Sequence, residues 1–324
     1  MPESSINDQD KKKIIEVKTF SVPFASGEIQ ENITFPKNSS SNTTKEEIIH
    51  QAFKLHSQGK ILEAKKYYQL FIKKGFIDHR VFSNYAVILK NLGKLKEAET
   101  YSREAININP DHANAHLNLG NILRDLGNLR EAKVSLLKAI ELNPDFADAH
   151  LNLGNILIDL GNLQEAEVSL RKAIELKPNF ADAHLNLGNI LIDLDKLQEA
   201  ELSTRKAIEI NPCIAKAHSN LGIILRSCGK LKEAELSQRK AIKVCPNFGA
   251  AYFHLGGILK ENYKLKEALS NFKKAKELKV DSKKCLTEIG KVLLEQGKHI
   301  EGIKYLRKGS GSIIFDLNNG FSKI

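Results

Sequence analysis

AHLNLGNILRDLGNLREA, residues 115–132, returns as AHLNLGNILIDLGNLQEA at 149–166, as AHLNLGNILIDLDKLQEA at 183–200 and as AHSNLGIILRSCGKLKEA at 217–234. The copies start 34 residues apart, and the prolines Pro110, Pro144, Pro178, Pro212 and Pro246 keep the same spacing. A fixed period of a few tens of residues means that each unit is one supersecondary element that buries its apolar face only by stacking on its neighbours. Numbered 1 to 34 with proline at position 32, the repeats run 45–78, 79–112, 113–146, 147–180, 181–214, 215–248, 249–282 and 283–316.

Each repeat reads as two helices. Positions 4, 7 and 11 form an apolar stripe on the first, as in His150, Leu153 and Leu157. Position 15 is usually glycine (Gly59, Gly93, Gly127, Gly161, Gly229, Gly297), and glycine just past a helix accepts the left-handed backbone that caps its last carbonyls. Leucine at 17 opens the second helix, alanines follow at 20 and 27, and the proline biases the residue before it away from helix. Glycine at position 8 (Gly120, Gly154, Gly188, Gly222, Gly256, Gly290) costs about 1 kcal/mol against alanine inside a helix. Close approach of the second helix would offset that cost. Irregularities are expected where the pattern breaks. Asp195 and Tyr263 replace the position-15 glycine, so the turn at Asn262–Tyr263 should be irregular. Val280 stands for proline in repeat 249–282, and Gly302 and Gly309 take the alanine positions of repeat 283–316, so that last repeat should be frayed or serve as a polar cap.

Leucine at 7, small residues at 8, 20 and 27 and proline at 32 resemble the tetratricopeptide repeat family across 79–248, and more loosely across 45–78 and 249–282. The last repeat keeps Ile289, Gly290 and Leu293 and then decays. The resemblance implies an all-α, right-handed superhelical solenoid of about eight antiparallel helix-pair repeats, with a concave groove lined by the first helices. It also implies a protein–protein interaction scaffold. The departure is at position 4, where His116, His150, His184 and His218 replace the usual aromatic residue.

Three segments are expected: a flexible N-terminal segment over 1–44, the array over 45–316, and a C-terminal tail over 309–324. KNSSSNTTKEE (37–47) reads as a linker with Thr44 as N-cap; KTFSVPF (18–24) and ENITFP (31–36) are candidate short strands or a docking arm. In GSGSIIFDLNNGFSKI (309–324), the β-branched run and the Asn-Gly signal suggest a hairpin, similar to the join where such arrays continue into a catalytic domain.

Positions 2, 6, 9 and 13 of the first helix share one face, away from the packed stripe. They read Asn114, Asn118, Asn121, Asp125; then Asp148, Asn152, Asn155, Asp159; then Asp182, Asn186, Asn189, Asp193. Asn84 and Asn220 continue position 6. A side-chain amide offers two donors and an acceptor and can pair with peptide backbone without reading side chains. Asn84, Asn118, Asn152, Asn186 and Asn220 resemble the asparagine ladder that holds substrate peptide backbone in the superhelix of the O-linked N-acetylglucosamine transferases. The resemblance implies a peptide-binding groove whose aspartates favour a basic ligand. Arg124, Lys216, Arg226 and Lys260 would add anion contacts towards its ends, and Asn220, Lys216 and Arg226 partly match a clamp for a partner's C-terminal carboxylate. Two blander accounts stand beside this one. Asp148 and Asp182 suit the positive end of a helix dipole, and near-identical repeats share residues by duplication.

The remaining features exclude more than they suggest. No nucleotide, serine-hydrolase or zinc-protease motif occurs, so neither catalytic residue nor cofactor is expected. The alternative is a substrate-recruiting module for a glycosyltransferase, sulfotransferase or hydroxylase encoded in the same or another chain. Net charge is +10, but the acidic excess lies in 113–214 and the basic excess in 215–324. An anionic surface for that basic third is the weaker partner class. Lysine outnumbers arginine 40 to 9 and tryptophan is missing, which argues against specific nucleic-acid readout. His112 and His116 have the i, i+4 spacing of a helical metal pair, but position 4 is a packing position, and no metal is expected. The cysteines form no C-x-x-C pair and read as free thiols; with no apolar run of membrane length and no leader pattern, cytoplasmic residence is the expectation.

Overall fold

The computed structural model describes residues 44–310 and two strands, 313–316 and 320–323. The expected linker, the strand candidates at 18–24 and 31–36 and the hairpin's Asn-Gly turn lie outside the described residues. The chain divides into two compact bodies at Asn128/Leu129. The first holds α1 (Lys45–Ser57), α2 (Ile61–Lys73), α3 (His79–Asn91), α4 (Leu95–Ile108) and α5 (Ala113–Asp125). The second holds α6 (Leu129–Leu142), α7 (Ala147–Asp159), α8 (Leu163–Leu176), α9 (Ala181–Asp193), α10 (Leu197–Ile210), α11 (Ala215–Ser227), α12 (Leu231–Val244), α13 (Gly249–Glu261), α14 (Leu265–Glu277), α15 (Ser282–Glu295) and α16 (His299–Ser310). A hairpin follows: β1 (Ile313–Asp316) pairs antiparallel with β2 (Gly320–Lys323), Ile313 opposite Lys323. The fold is an all-α solenoid of helix-pair repeats with that hairpin appended.

Local signals set the boundaries. Thr44 caps α1 in a full capping box, its hydroxyl accepting from Glu47 N while Glu47 accepts from Thr44 N. Gly161 has φ +79; its N–H donates to Ile158 O and that of Asn162 to Leu157 O, the two bonds of a Schellman turn. Tyr263 takes the same place with φ +58 and keeps both bonds, Tyr263 N to Lys260 O and Lys264 N to Leu259 O. The irregular turn expected there is regular; the backbone bonds and packing of the flanking helices hold a bulky residue in the left-handed region. The second helices stop two residues before proline, with caps such as Asn109 and Cys245 in extended backbone.

Packing explains the small residues. A Cβ on Gly154 would lie 2.8 Å from Leu170 Cγ, and one on Gly188 would fall onto Thr204 Oγ1. Position 8 therefore touches position 24 of the second helix in the same repeat. The alanines at 20 and 27, Ala166 and Ala173 among them, are fully buried. Ala149, Leu151 and Ile156 are buried as well, so the first helices are enclosed over a wider arc than positions 4, 7 and 11 alone. The last repeat is not frayed. Its extra glycines bring α15 and α16 closer: a Cβ on Gly302 would lie 3.0 Å from Gly290 O, and one on Gly309 2.7 Å from Thr287 N.

Candidate functional site

The first helices lie next to one another within each body: α3 against α5, and α7, α9, α11 and α13 in sequence. This arrangement lines up positions 6, 9 and 13 of successive repeats. The ladder is not freely solvated, as position 6 reaches back to the preceding repeat. Asn186 Nδ2 donates to Asn155 Oδ1 at 2.7 Å, and Asn220 Nδ2 donates to Asn189 Oδ1. In the first body Asn118 Nδ2 donates to Ser83 Oγ at 2.9 Å. Asn118 and Asn220 are buried, while Asn84, Asn121, Asn152, Asn155, Asn186 and Asn189 are half-buried. Asp125, Asp159 and Asp193 are exposed at the outer end of the face, and Asp125 pairs with Lys90 at 3.2 Å.

Two of the four cations expected at the ends of the groove, Arg226 and Lys260, are taken up internally. Arg226 forms a forked pair with Glu261, its Nε 3.0 Å from Oε1, and Lys260 meets Glu288 at 2.6 Å. Glu288 is held below the usual carboxylate range by Lys260 and Lys291 against the opposing effect of burial. The partial carboxylate clamp is thereby weakened, since Arg226 already has its carboxylate in Glu261.

Beyond Asn220 the ladder ends: Ile223 takes position 9 and His254 position 6. A cavity of about 300 Å³ opens there, with Ile223, Arg226, His254 and Glu261 in its walls. Burial and the nearby Arg226 charge push the His254 pKa down. The sequence reading missed this pocket, although the break in the Asn pattern at positions 6 and 9 marks it.

The position-4 histidines are packing residues. The Nε2 atoms of His116, His150, His184 and His218 meet the carbonyls of Pro110, Pro144, Pro178 and Pro212 at 2.8–3.1 Å. Each histidine thus ties the first helix to the proline turn that precedes it. His112 pairs with His79, at the start of its own repeat, rather than with His116. It precedes α5 directly, and its Nδ1 lies 3.0 Å from His79 Nδ1 with the rings edge to face. Burial, reinforced by the positive potential of His79, pushes its pKa down to about 4. Among the described residues no three His, Cys, Asp or Glu side chains converge on a metal position, and no helix is long and apolar enough to cross a membrane. All four cysteines are free thiols, Cys213 and Cys228 exposed and Cys285 buried.

Comparison with known proteins bears on the fold. Among curated proteins none matches the chain. A repeat protein from Parabacteroides merdae superposes with a TM-score of 0.58 at 19% identity, covering 77% of this chain and 98% of that one. The pilF protein of Pseudomonas aeruginosa gives 0.55 at 21% identity, over 61% of this chain and 88% of its own. YrrB, a TPR protein with an unusual peptide-binding site, gives 0.49 at 24% identity, over 61% and 97%. Profiles described as TPR repeat match residues 120–158 and 154–195, and those described as tetratricopeptide repeat match 79–112, 101–134, 181–212 and 215–248. These matches cover more than half of the chain, and those over 79–112, 181–212 and 215–248 keep the register read from its prolines and glycines, so the chain belongs to the tetratricopeptide repeat family.

Proposed function

We propose that the chain is a protein-interaction scaffold that holds an extended, basic peptide segment along positions 6, 9 and 13 of its first helices. The supporting observation is the hydrogen-bonding capacity left over on the asparagine face. Each side-chain amide has two donor hydrogens and an oxygen with two lone pairs. The bond from Asn186 to Asn155 uses one donor of the first and one lone pair of the second. What remains recurs at the repeat spacing and suits the alternating N–H and C=O groups of an extended backbone. The inter-repeat bonds also hold the amides in place, which lowers the entropy lost on binding. In the second body Asp159 and Asp193 add negative charge at position 13 of that face and favour a lysine- or arginine-bearing segment.

The test uses the full chain and an array of unstructured peptides that differ only in net charge, read by fluorescence anisotropy. Basic peptides should bind best, and Asp159→Lys with Asp193→Lys should weaken them about tenfold or more, since each tenfold is 1.4 kcal/mol. Both residues are exposed, so circular dichroism should not change. Equal binding by the variant would remove this face as the working surface.

A further inference from the structure

The cavity at the end of the asparagine ladder sits where three ladder positions change together. Repeats 147–180 and 181–214 carry asparagine at positions 6 and 9. Here position 9 of α11 is Ile223, and positions 6 and 9 of α13 are His254 and Gly257. Gly257 is not needed by the helix pair, because Gly256 makes that contact: its Cβ would lie 2.9 Å from Phe272 Cδ1. A Cβ on Gly257 would instead lie 3.0 Å from Arg226 Nη1. A second glycine inside the helix costs about 1 kcal/mol against alanine. What it provides is room for the Arg226 guanidinium beside α13, where Glu261 of that helix holds it in a fork. The cavity of about 300 Å³ is therefore shaped by residues that repeat packing does not call for.

Its walls restrict what it can hold. Ile223 and the fully buried Ile258 are apolar. Gln238 is fully buried, and its amide bonds twice to Ser219, at 3.0 Å through Oε1 and 2.8 Å through Nε2. One N–H and one lone pair of that amide remain. Arg226 and Glu261 neutralise each other, and burial and the Arg226 charge keep His254 uncharged near pH 7. A charged side chain would lose its hydration here and meet no uncompensated opposite charge. A purely apolar one would leave the polar walls unpaired. An apolar ring with an uncharged tip that both donates and accepts suits all the walls, and tyrosine is the residue with that build. The volume stands at the low end for ligand pockets and suits one large side chain. We infer that this cavity takes a tyrosine side chain of the bound segment, its ring against Ile223 and Ile258 and its hydroxyl among Gln238, His254 and the Arg226–Glu261 pair. The inference rests on the reading that a peptide follows the asparagine face, of which His254 is the next position 6.

Two probes test it on the full chain. N-acetyltyrosinamide needs the cavity alone, and its binding is read from the ring proton signals of His254, assigned by their loss in His254→Asn. A saturable shift is expected with a dissociation constant of about 1 mM, as befits so small a ligand. N-acetylphenylalaninamide, which lacks the hydroxyl, should bind about tenfold more weakly. Ile223 is half-buried at the cavity, so Ile223→Trp should fill the space and abolish the shift while the helical signal stays. In the second probe, tyrosine replaced by alanine in a basic extended peptide should weaken binding about tenfold in wild type and not at all in Ile223→Trp. No His254 shift, equal binding of the two amides, or a shift that survives Ile223→Trp would overturn the inference. Basic peptides that bind alike with and without tyrosine would overturn it too and leave the asparagine face standing. Probe binding without any peptide binding would remove the asparagine face and leave tyrosine as the cavity's ligand.

Discussion

Replacing Gly154 by leucine tests the close helix contact on which the repeat is built. The glycine has no room for even one added carbon. Its Cβ would sit 2.8 Å from Leu170 Cγ and 2.9 Å from Cδ2, with Ala166 O at 3.5 Å on the far side. Leu170 is fully buried, and its Cγ is a branch point close to the backbone, so it cannot swing clear. Overpacking of this kind costs about 1–3 kcal/mol, and occasionally more. Leucine returns roughly 1 kcal/mol of helix propensity over glycine. Four added carbons against an immovable neighbour place the leucine variant towards the upper end of the overpacking range, so the net loss is about 1–3 kcal/mol. Urea unfolding followed by far-ultraviolet circular dichroism reads this as a lower midpoint. The partner is also specified: Leu170→Ala alone should cost about 2–5 kcal/mol by opening a cavity. In combination the two should cost less than their sum, because the added leucine fills the space left by the removed one, with a coupling of about 1–2 kcal/mol. An unchanged midpoint for Gly154→Leu, or strict additivity with Leu170→Ala, would refute the packing argument.

Other consequences are as direct. In the unfolded chain His112 takes up a proton near pH 6.5, and in the folded chain not until about pH 4, so the unfolded state binds more protons between these values and stability falls as pH drops through them. The ring keeps some solvent contact, so the loss is at most about 2–3 kcal/mol; urea midpoints should decline from pH 7 to 5, and His112→Gln should flatten the slope. Its surroundings, His79, His116, Asp78 and Arg80, stay as they are in that variant. Tyr263 is 87% exposed and held at φ +58, so Tyr263→Gly removes left-handed strain and loses little packing; a gain of about 0.5–1 kcal/mol is expected in urea unfolding. Asn118→Ala leaves the buried Ser83 hydroxyl without its amide partner and should cost about 1–2 kcal/mol, whereas Asp193→Ala on the exposed end of the same face should stay within about 0.5 kcal/mol.

The sequence alone determined the repeat register, the helix pairs and the turn positions. These are local matters: a proline cannot continue a helix, a glycine past its end accepts positive φ, and a 3.6-residue stripe states which face is apolar. The face carrying Asn118, Asn152 and Asn186 was legible for the same reason, since spacing alone puts those residues on one side of their helices. Only the tertiary structure decided what those side chains touch. The asparagines bond across repeats, Arg226 and Lys260 are met by Glu261 and Glu288, and His112 meets His79, all between residues some thirty positions apart. The tightness of the last repeat and the cavity beside His254 also depend on which helix comes to lie against which. Periodicity shows that a side chain faces outward from its own helix; whether a neighbouring repeat then covers it is settled only when the helices stack.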